Sequence, residues 1–376
     1  MRKVLTILGT RPELIKLSRV IERLDRLTDH RLVHTGQNHD YELNQVFFED
    51  LGIRRPDYFL DAAGKDAIDT IARVLTATDA VLEQEKPEAV LIYGDTNSGL
   101  AVISAKRRKI PVFHMEAGNR CFDQRVPEEL NRKIIDHLSD VNMTLTEHAR
   151  RYLLAEGIAS DRIFKVGSHM AEVLDHYRAK IAASDILARL ELESGRYFVA
   201  SAHREENVDD PARLVAMLAC LDRLAQAEGL PVIVSTHPRT RKRLPEDLLG
   251  KVSPLLRFLP PLGFTDYVHL ETHAHCVLSD SGTITEEAAL LDFPAVMLRD
   301  AHERPEGMDA GTLVMAPFVP DLVLEAVRCA RDGVGPRRAG RVPDYEVEAV
   351  SAKVVRIVLS YIDPVNRVVW SKPDVG

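Results

Sequence analysis

Short apolar runs that close on polar turns alternate along the chain with stretches of helical period. Val4–Gly9, Arg31–Thr35, Ala89–Tyr93, Pro111–Met115, Val141–Thr144 and Ile163–Val166 have strand length, and amphipathic stretches such as Pro12–Leu27 and Ala67–Gln84 separate most of them. Apolar runs spaced by amphipathic helices predict βαβ units and a buried parallel sheet. Between Gly167 and Gly195 the rhythm yields to a charged helical connector, then restarts at Tyr197–Ser201, Pro231–Ser235, Cys276–Ser279, Ala295–Leu298 and Thr312–Met315. The pattern predicts an α/β protein of two Rossmann-like parallel-sheet domains of similar size facing a cleft. Their expected spans are 1–168 and 169–345. Along Tyr345–Tyr361, Val347, Val350, Val354, Ile357 and Val358 predict one more amphipathic helix.

A length of 376 residues exceeds what one hydrophobic core serves, which agrees with two domains. Hydrophobic content of 45% with 28% charged residues places the chain among globular proteins. A net charge of −8 argues against a nucleic-acid or anionic-membrane binder, so an anionic ligand requires a local positive field. Cys121, Cys220, Cys276 and Cys329 form no C-x-x-C pair, which favours neither a zinc site nor a disulfide framework and fits a reducing cytoplasm. The run after Met1-Arg-Lys is too short for a signal segment, and no apolar run approaches the ~18 residues of a membrane span.

Ionisable residues crowd the carboxyl ends of the predicted strands. The densest stretch runs from His114 to Arg132 and holds Glu116, Asn119, Arg120 and Asp123 ahead of a helix opened by Pro127. In that helix Leu130, Ile134 and Leu138 are expected to face the core, with Glu128, Arg132 and Asp136 opposite. Alone, such a helix reads as a solvated Glu–Arg ladder; the polar residues before it favour a site at the sheet edge. Gly9-Thr-Arg-Pro-Glu13 opens the first helix, where free backbone N–H groups, helped by Arg11 and Lys16, would accept an anion. A well-capped helix accounts for the same residues. Asp95, at the end of another strand, either caps the next helix or meets substrate.

In the second half, His203 with Arg204, and His237, follow predicted strands. Ser281-Gly282-Thr283 opens a helix whose Ile284, Ala288 and Leu291 would face inward, a start suited to a diphosphate. Glu287 is placed for ribose hydroxyls, and Arg299 and Arg304 for phosphate charge. No dinucleotide fingerprint and no chelating His or carboxylate spacing occurs, so neither a redox cofactor nor a metal is implied.

Taken in order, the motifs resemble the non-hydrolysing UDP-N-acetylglucosamine 2-epimerase family. The matching residues are Gly9-Thr-Arg-Pro-Glu13, Thr35-Gly-Gln37, Gly94-Asp-Thr96, Glu116-Ala-Gly118, Pro127-Glu-Glu-x-Asn-Arg132, His203-Arg204 with Glu206-Asn207, His237-Pro238, Asp280-Ser-Gly282, Glu286-Glu-Ala288 and Glu303-Arg-Pro-Glu306. The resemblance implies a glycosyltransferase-B-like fold, nucleotide held mainly by the second domain, 346–376 packing back on the first, and a homodimer. Asn38-His-Asp-Tyr41, Asn119-Arg-Cys-Phe-Asp123, Thr283 and Ala301-His-Glu-Arg304 depart from the common pattern. They look like the branch that makes UDP-N-acetyl-L-fucosamine from UDP-2-acetamido-2,6-dideoxy-L-talose for capsule or O-antigen; the alternative substrates are UDP-GlcNAc and UDP-ManNAc.

The implied chemistry explains the residue types. Once the anomeric C1–O bond to UDP breaks, C2–H becomes acidic; UDP is eliminated to a 2-acetamidoglycal and added back with C2 inverted. By resemblance, Asp95, Glu116 and Glu128 exchange the proton and stabilise positive charge, with Arg132 keeping Glu128 oriented. Arg11, Lys16, Ser281, Gly282, Thr283 and Arg304 hold the substrate and its UDP, Glu287 the ribose, and His203 joins the catalytic set at the leaving group. A glycosyltransferase or a non-catalytic UDP-sugar sensor on the same fold are the rival readings; neither needs the carboxylates of the first half.

Overall fold

The computed structural model describes residues 1–37, 48, 50–202, 204, 207, 210–236, 244, 250, 252–332 and 341–372. His203, His237, Glu206, Pro238 and the 38–41 stretch, all singled out above, lie outside them.

The chain divides into two compact units, Met1–Asp175 with Asp344–Gly376, and His176–Pro343. In the first unit, β1 (Lys3–Leu8), α1 (Arg11–Leu27), β2 (Asp29–His34), β3 (Tyr58–Phe59), α2 (Ala67–Glu85), β4 (Ala89–Tyr93), α3 (Val102–Arg107), β5 (Val112–Met115), α4 (Pro127–Leu138), β6 (Val141–Thr144), α5 (Glu147–Ala155) and β7 (Ile163–Lys165) follow one another, and α6 (Met170–Ala182) begins in this unit and ends in the second. Their strands form a parallel sheet ordered β3-β2-β1-β4-β5-β6-β7. β1, β4, β5 and β6 are buried along nearly their whole length, as expected of a sheet covered on both faces.

The second unit repeats the plan with α7 (Ile186–Arg189), β8 (Phe198–Ser201), α8 (Pro211–Glu228), β9 (Val232–Ser235), β10 (Leu256–Leu259), α9 (Phe264–Thr272), β11 (Cys276–Ser279), α10 (Ile284–Leu291), β12 (Ala295–Leu298), α11 (Pro305–Ala310), β13 (Val314–Ala316) and α12 (Pro320–Arg331). Its parallel order is β10-β9-β8-β11-β12-β13. Both units are therefore Rossmann-like, as in the glycosyltransferase-B-like class. In each, the first strand lies between strands reached by connections running opposite ways. That reversal, at β1/β4 and again at β8/β11, is where α/β sheets part at their carboxyl ends to admit a ligand.

The last helix, α13 (Val350–Trp370), belongs to the first unit. It begins later than the sequence pattern suggests and runs further, carrying Pro364 within it. Val350, Val354, Val358 and Ile362 are buried, and Ser351 fixes the start by bonding Arg23 of α1 (3.0 Å) and Glu172 of α6 (backbone 2.8 Å). Val347 crosses so close to Gly167 that a Cβ there would lie 2.6 Å from Val347; with φ of +90°, the position requires glycine.

Candidate active site

At the first switch point, Gly9 and Thr10 follow β1 and Asp95 follows β4. Glu13 joins the two sides. Its Oε2 accepts the N–H groups of Gly9 (2.6 Å) and Thr10 (3.0 Å), and its Oε1 accepts Thr96 Oγ1 (2.7 Å). Two of the N–H groups at this turn, those of Gly9 and Thr10, are thus already satisfied within the chain by Glu13 at N3. Burial pushes the Glu13 carboxyl up to about 7, against the donors Thr96, Gly9 and Thr10, with the Asp95 charge adding to the rise. Arg11, the first residue of α1, is half-buried.

Lys16, one turn further along α1, places Nζ 2.8 Å from Glu116 Oε2; both side chains are at least nine-tenths buried. Glu116 follows β5 with φ of +61°, a left-handed conformation that a glutamate adopts at a cost and that functional sites tend to retain. Tyr93, the last residue of β4, also donates its hydroxyl to Glu116 Oε2. Behind it, His169 Nε2 lies 3.1 Å from the Tyr93 oxygen.

Helix α4 departs from expectation. Leu130 is 65% exposed, whereas Glu129, Asn131, Arg132 and Asp136 are buried beside Ile135. The apolar stripe Leu130–Ile134–Leu138 is at best partly covered, because the helix turns its polar face into the unit. Arg132 binds Asp95 Oδ2 through Nε (2.7 Å) and Glu129 Oε2 through Nη1 (3.0 Å), so Glu129 of the same helix helps to hold this arginine. Glu129 also accepts the Cys121 N–H (3.0 Å), the Cys121 thiol (3.3 Å) and the Phe122 N–H (3.2 Å). Burial raises its pKa, but the Cys121 donors and Arg132 outweigh burial and hold the carboxyl below its ordinary value. Glu128, in the first turn, is half-buried.

Beneath this layer Asp136 accepts from Arg120 Nη1 (2.7 Å) and the Gly118 N–H (3.2 Å) and bonds His114 Nδ1 (2.9 Å). Arg120, buried between Asp136 and Glu156, is a scaffold for the 116–122 turn. The sequence pattern passed over Glu13, Tyr93, Glu129 and His169. Glu13 reads as a helix-start acid and Tyr93 as the end of an apolar run, so only the fold reveals their partners.

At the second switch point, Asp280 is fully buried and accepts the Arg204 N–H (3.0 Å) and Asn207 Nδ2 (2.9 Å). Ser281, Gly282 and Thr283 then lead into α10, with Ser281 Oγ 2.9 Å from Thr283 Oγ1. Gly282 leaves no room for a side chain, since a Cβ would lie 2.5 Å from Glu303 Oε1. That carboxylate is clamped by Arg204 (2.9 Å) and Arg299 (2.6 Å). Arg304, buried like Arg299, is paired with Glu286 at 2.8 Å, so the charge expected to meet phosphate is also tied into the protein. Glu287 is half-buried one turn in, and its charge, after burial, helps push the Glu271 carboxyl well above the usual range, against the Tyr267 hydrogen bond.

Among the described residues no cluster of three or more His, Cys, Asp or Glu is arranged to hold a metal, and no helix is long and apolar enough to cross a membrane.

A duplicated Rossmann plan, with carboxylates held against Lys16 and Arg132 at one switch point and a small-residue helix start at the other, is that of a nucleotide-sugar enzyme of the glycosyltransferase-B-like class. Residues 22–359 match the family model described as UDP-N-acetylglucosamine 2-epimerase. The chain belongs to that family and is a UDP-sugar 2-epimerase, an isomerase.

The structure of UDP-N-acetylglucosamine 2-epimerase from Rickettsia bellii is 58% identical, covers 99% of this chain and 100% of that one, and superposes with a TM-score of 0.93. The Methanocaldococcus jannaschii UDP-GlcNAc 2-epimerase, solved with UDP-GlcNAc and UDP, is 33% identical over 96% of this chain and 99% of that one, with a TM-score of 0.89. The UDP-2,3-diacetamido-2,3-dideoxy-D-glucuronate 2-epimerase of Pseudomonas aeruginosa is 36% identical over 331 residues, 87% of this chain and 91% of the relative.

Proposed function

We propose that the chain interconverts UDP-N-acetylglucosamine and UDP-N-acetylmannosamine by eliminating UDP to a 2-acetamidoglycal and adding it back, supplying a precursor for a surface polysaccharide. The carrying observation is Glu116, held in a left-handed backbone conformation with Lys16 and Tyr93 on one carboxylate oxygen. Breaking C1–O leaves an electron-poor C1. Glu116, Asp95 and Glu128 then remove and return the C2 proton and offset the positive charge. Lys16 and Arg132 hold Glu116 and Asp95 in place for that exchange.

In the second unit, the Ser281-Gly282-Thr283 start of α10 receives the diphosphate, Glu287 the ribose hydroxyls, and Arg304 and His203 the charge that grows on departing UDP, a task to which Arg11 of the first unit is also assigned. For Arg304 this requires sharing its guanidinium with Glu286. A homodimer is the expected assembly.

The substrate pair follows the names of the Rickettsia and Methanocaldococcus proteins. A second reading, UDP-2-acetamido-2,6-dideoxy-L-talose to UDP-N-acetyl-L-fucosamine, is favoured by Asn119-Arg-Cys-Phe-Asp123. There the Cys121 and Phe122 N–H groups are pinned by Glu129 while Phe122 is 71% exposed. A relative named for a diacetamido-glucuronate substrate indicates that this level of identity leaves the sugar open.

NMR of products formed in deuterium oxide from each pair tests both readings. Inversion with deuterium at C2 is expected from the UDP-GlcNAc pair; exclusive turnover of the L-talose substrate would replace the first reading with the second. Sugar transfer with no deuterium at C2 would point instead to the glycosyltransferase rival.

A further inference from the structure

Among the groups that reach Glu116 are Lys16 of α1, Tyr93 at the end of β4 and, through Tyr93, His169 ahead of α6. The Tyr93 hydroxyl carries one proton, and a carboxylate only accepts, so that proton lies toward Glu116. The Tyr93 oxygen must then accept from His169, which fixes the imidazole as a donor at Nε2. His169 is fully buried and stands edge-on to the Tyr93 ring, with centroids 5.2 Å apart and planes at 89°. Lys16 Nζ in turn lies 5.5 Å from the centre of that ring.

We infer that Tyr93 and His169 are positioning residues for Glu116, a donor chain running His169 to Tyr93 to Glu116 that keeps the carboxylate ionised and fixes its aim at C2. The assignment rests on Glu116 as an acid–base group in the reaction proposed above. Its physical content is twofold. A buried hydroxyl directed at a carboxylate favours the charged form, and two donors from separate elements, Lys16 and Tyr93, remove the rotational freedom that a glutamate on a strained turn would otherwise keep. Because the pair acts through Glu116, it bears on the proton-transfer step rather than on nucleotide binding.

The test compares Tyr93→Phe, His169→Gln, His169→Ala and Glu116→Gln in the full chain, by turnover, calorimetric UDP affinity and the pH profile of kcat. Tyr93→Phe keeps the ring packing and removes only the hydroxyl. Its kcat is expected to fall at least ~10-fold, with UDP affinity within about twofold of wild type and the acid limb of the profile moved to higher pH as the carboxylate loses a donor. His169→Gln, which retains an N–H donor, is expected to stay close to wild type while His169→Ala falls with Tyr93→Phe. Wild-type kcat and profile in Tyr93→Phe, with Glu116→Gln inactive, would overturn the pair and leave the role of Glu116 standing. A fall in Tyr93→Phe matched by an equal loss of UDP affinity, with no change in profile, would reduce the pair to packing and overturn it. Full turnover in Glu116→Gln would remove both readings. If His169→Ala does not fold, Tyr93→Phe and His169→Gln still decide between these outcomes.

Discussion

Arg132 meets Asp95 at 2.7 Å, linking a buried helix face to the turn after β4, and the same guanidinium holds Glu129 at 3.0 Å. One cation thereby orients a proposed catalytic carboxylate and the acid that shapes the 121–122 turn. Arg132→Ala leaves two carboxylates without this partner, one of them almost fully buried. Stability is expected to fall by about 3–5 kcal/mol, read by chemical denaturation, with turnover falling as well. Arg132→Lys, a point charge unable to present Nε and Nη1 together, is expected to fall between wild type and alanine.

The three proposed acid–base residues should separate chemistry from binding. Asp95→Asn, Glu116→Gln and Glu128→Gln are each expected to cut turnover by ~10² or more while UDP affinity persists. Product NMR and calorimetry check this, and a wild-type rate in any one of them removes that residue from the mechanism.

Glu13 predicts a pH dependence of stability. Its carboxyl is raised from 4.5 to about 7 in the folded state, so the native protein binds that proton more tightly than the unfolded chain does. The stabilisation this confers is complete below pH 4.5 and is lost as pH climbs to about 7, a change of up to roughly 3 kcal/mol. Glu13→Gln, whose amide can accept from Gly9 and Thr10 and donate to Thr96, should flatten the slope across that window in denaturation curves. Glu13→Ala, losing all three bonds, is expected to lower stability throughout.

Gly282→Ala tests the second switch point. The added methyl would lie 2.5 Å from Glu303 Oε1, and Arg204 and Arg299 leave that carboxylate little room to yield. Displacing it should disturb the start of α10 and weaken UDP binding by roughly tenfold, about 1.4 kcal/mol. Unchanged affinity by calorimetry would take this turn out of the nucleotide site.

The strand–helix rhythm alone located β4, β6, β11 and β12 to the residue, because continuous apolar runs between turns have few other readings. β3, two residues long, and β10, interrupted by Arg257, offered no comparable run. The facing of α4 was misread for a physical reason: periodicity assumes the apolar stripe goes inward, whereas here Arg132 and Asp136 are neutralised by partners that local sequence cannot reveal. The motif residues were visible, but their pairings were not. Lys16 and Glu116 are 100 positions apart and Tyr93 and His169 are 76 apart, and only the closing of the parallel sheet joins them.

Helix α13 is synthesised after the entire second unit, yet it completes the first, covering α1 and bonding Arg23 and Glu172 through Ser351. On the ribosome the earlier-made sheet must therefore wait with the side of α1 that α13 covers still open while the later one finishes. A chain halted just before Val350 should yield a protease-resistant second unit beside a cleavable first, so the order of maturation runs opposite to the order of translation.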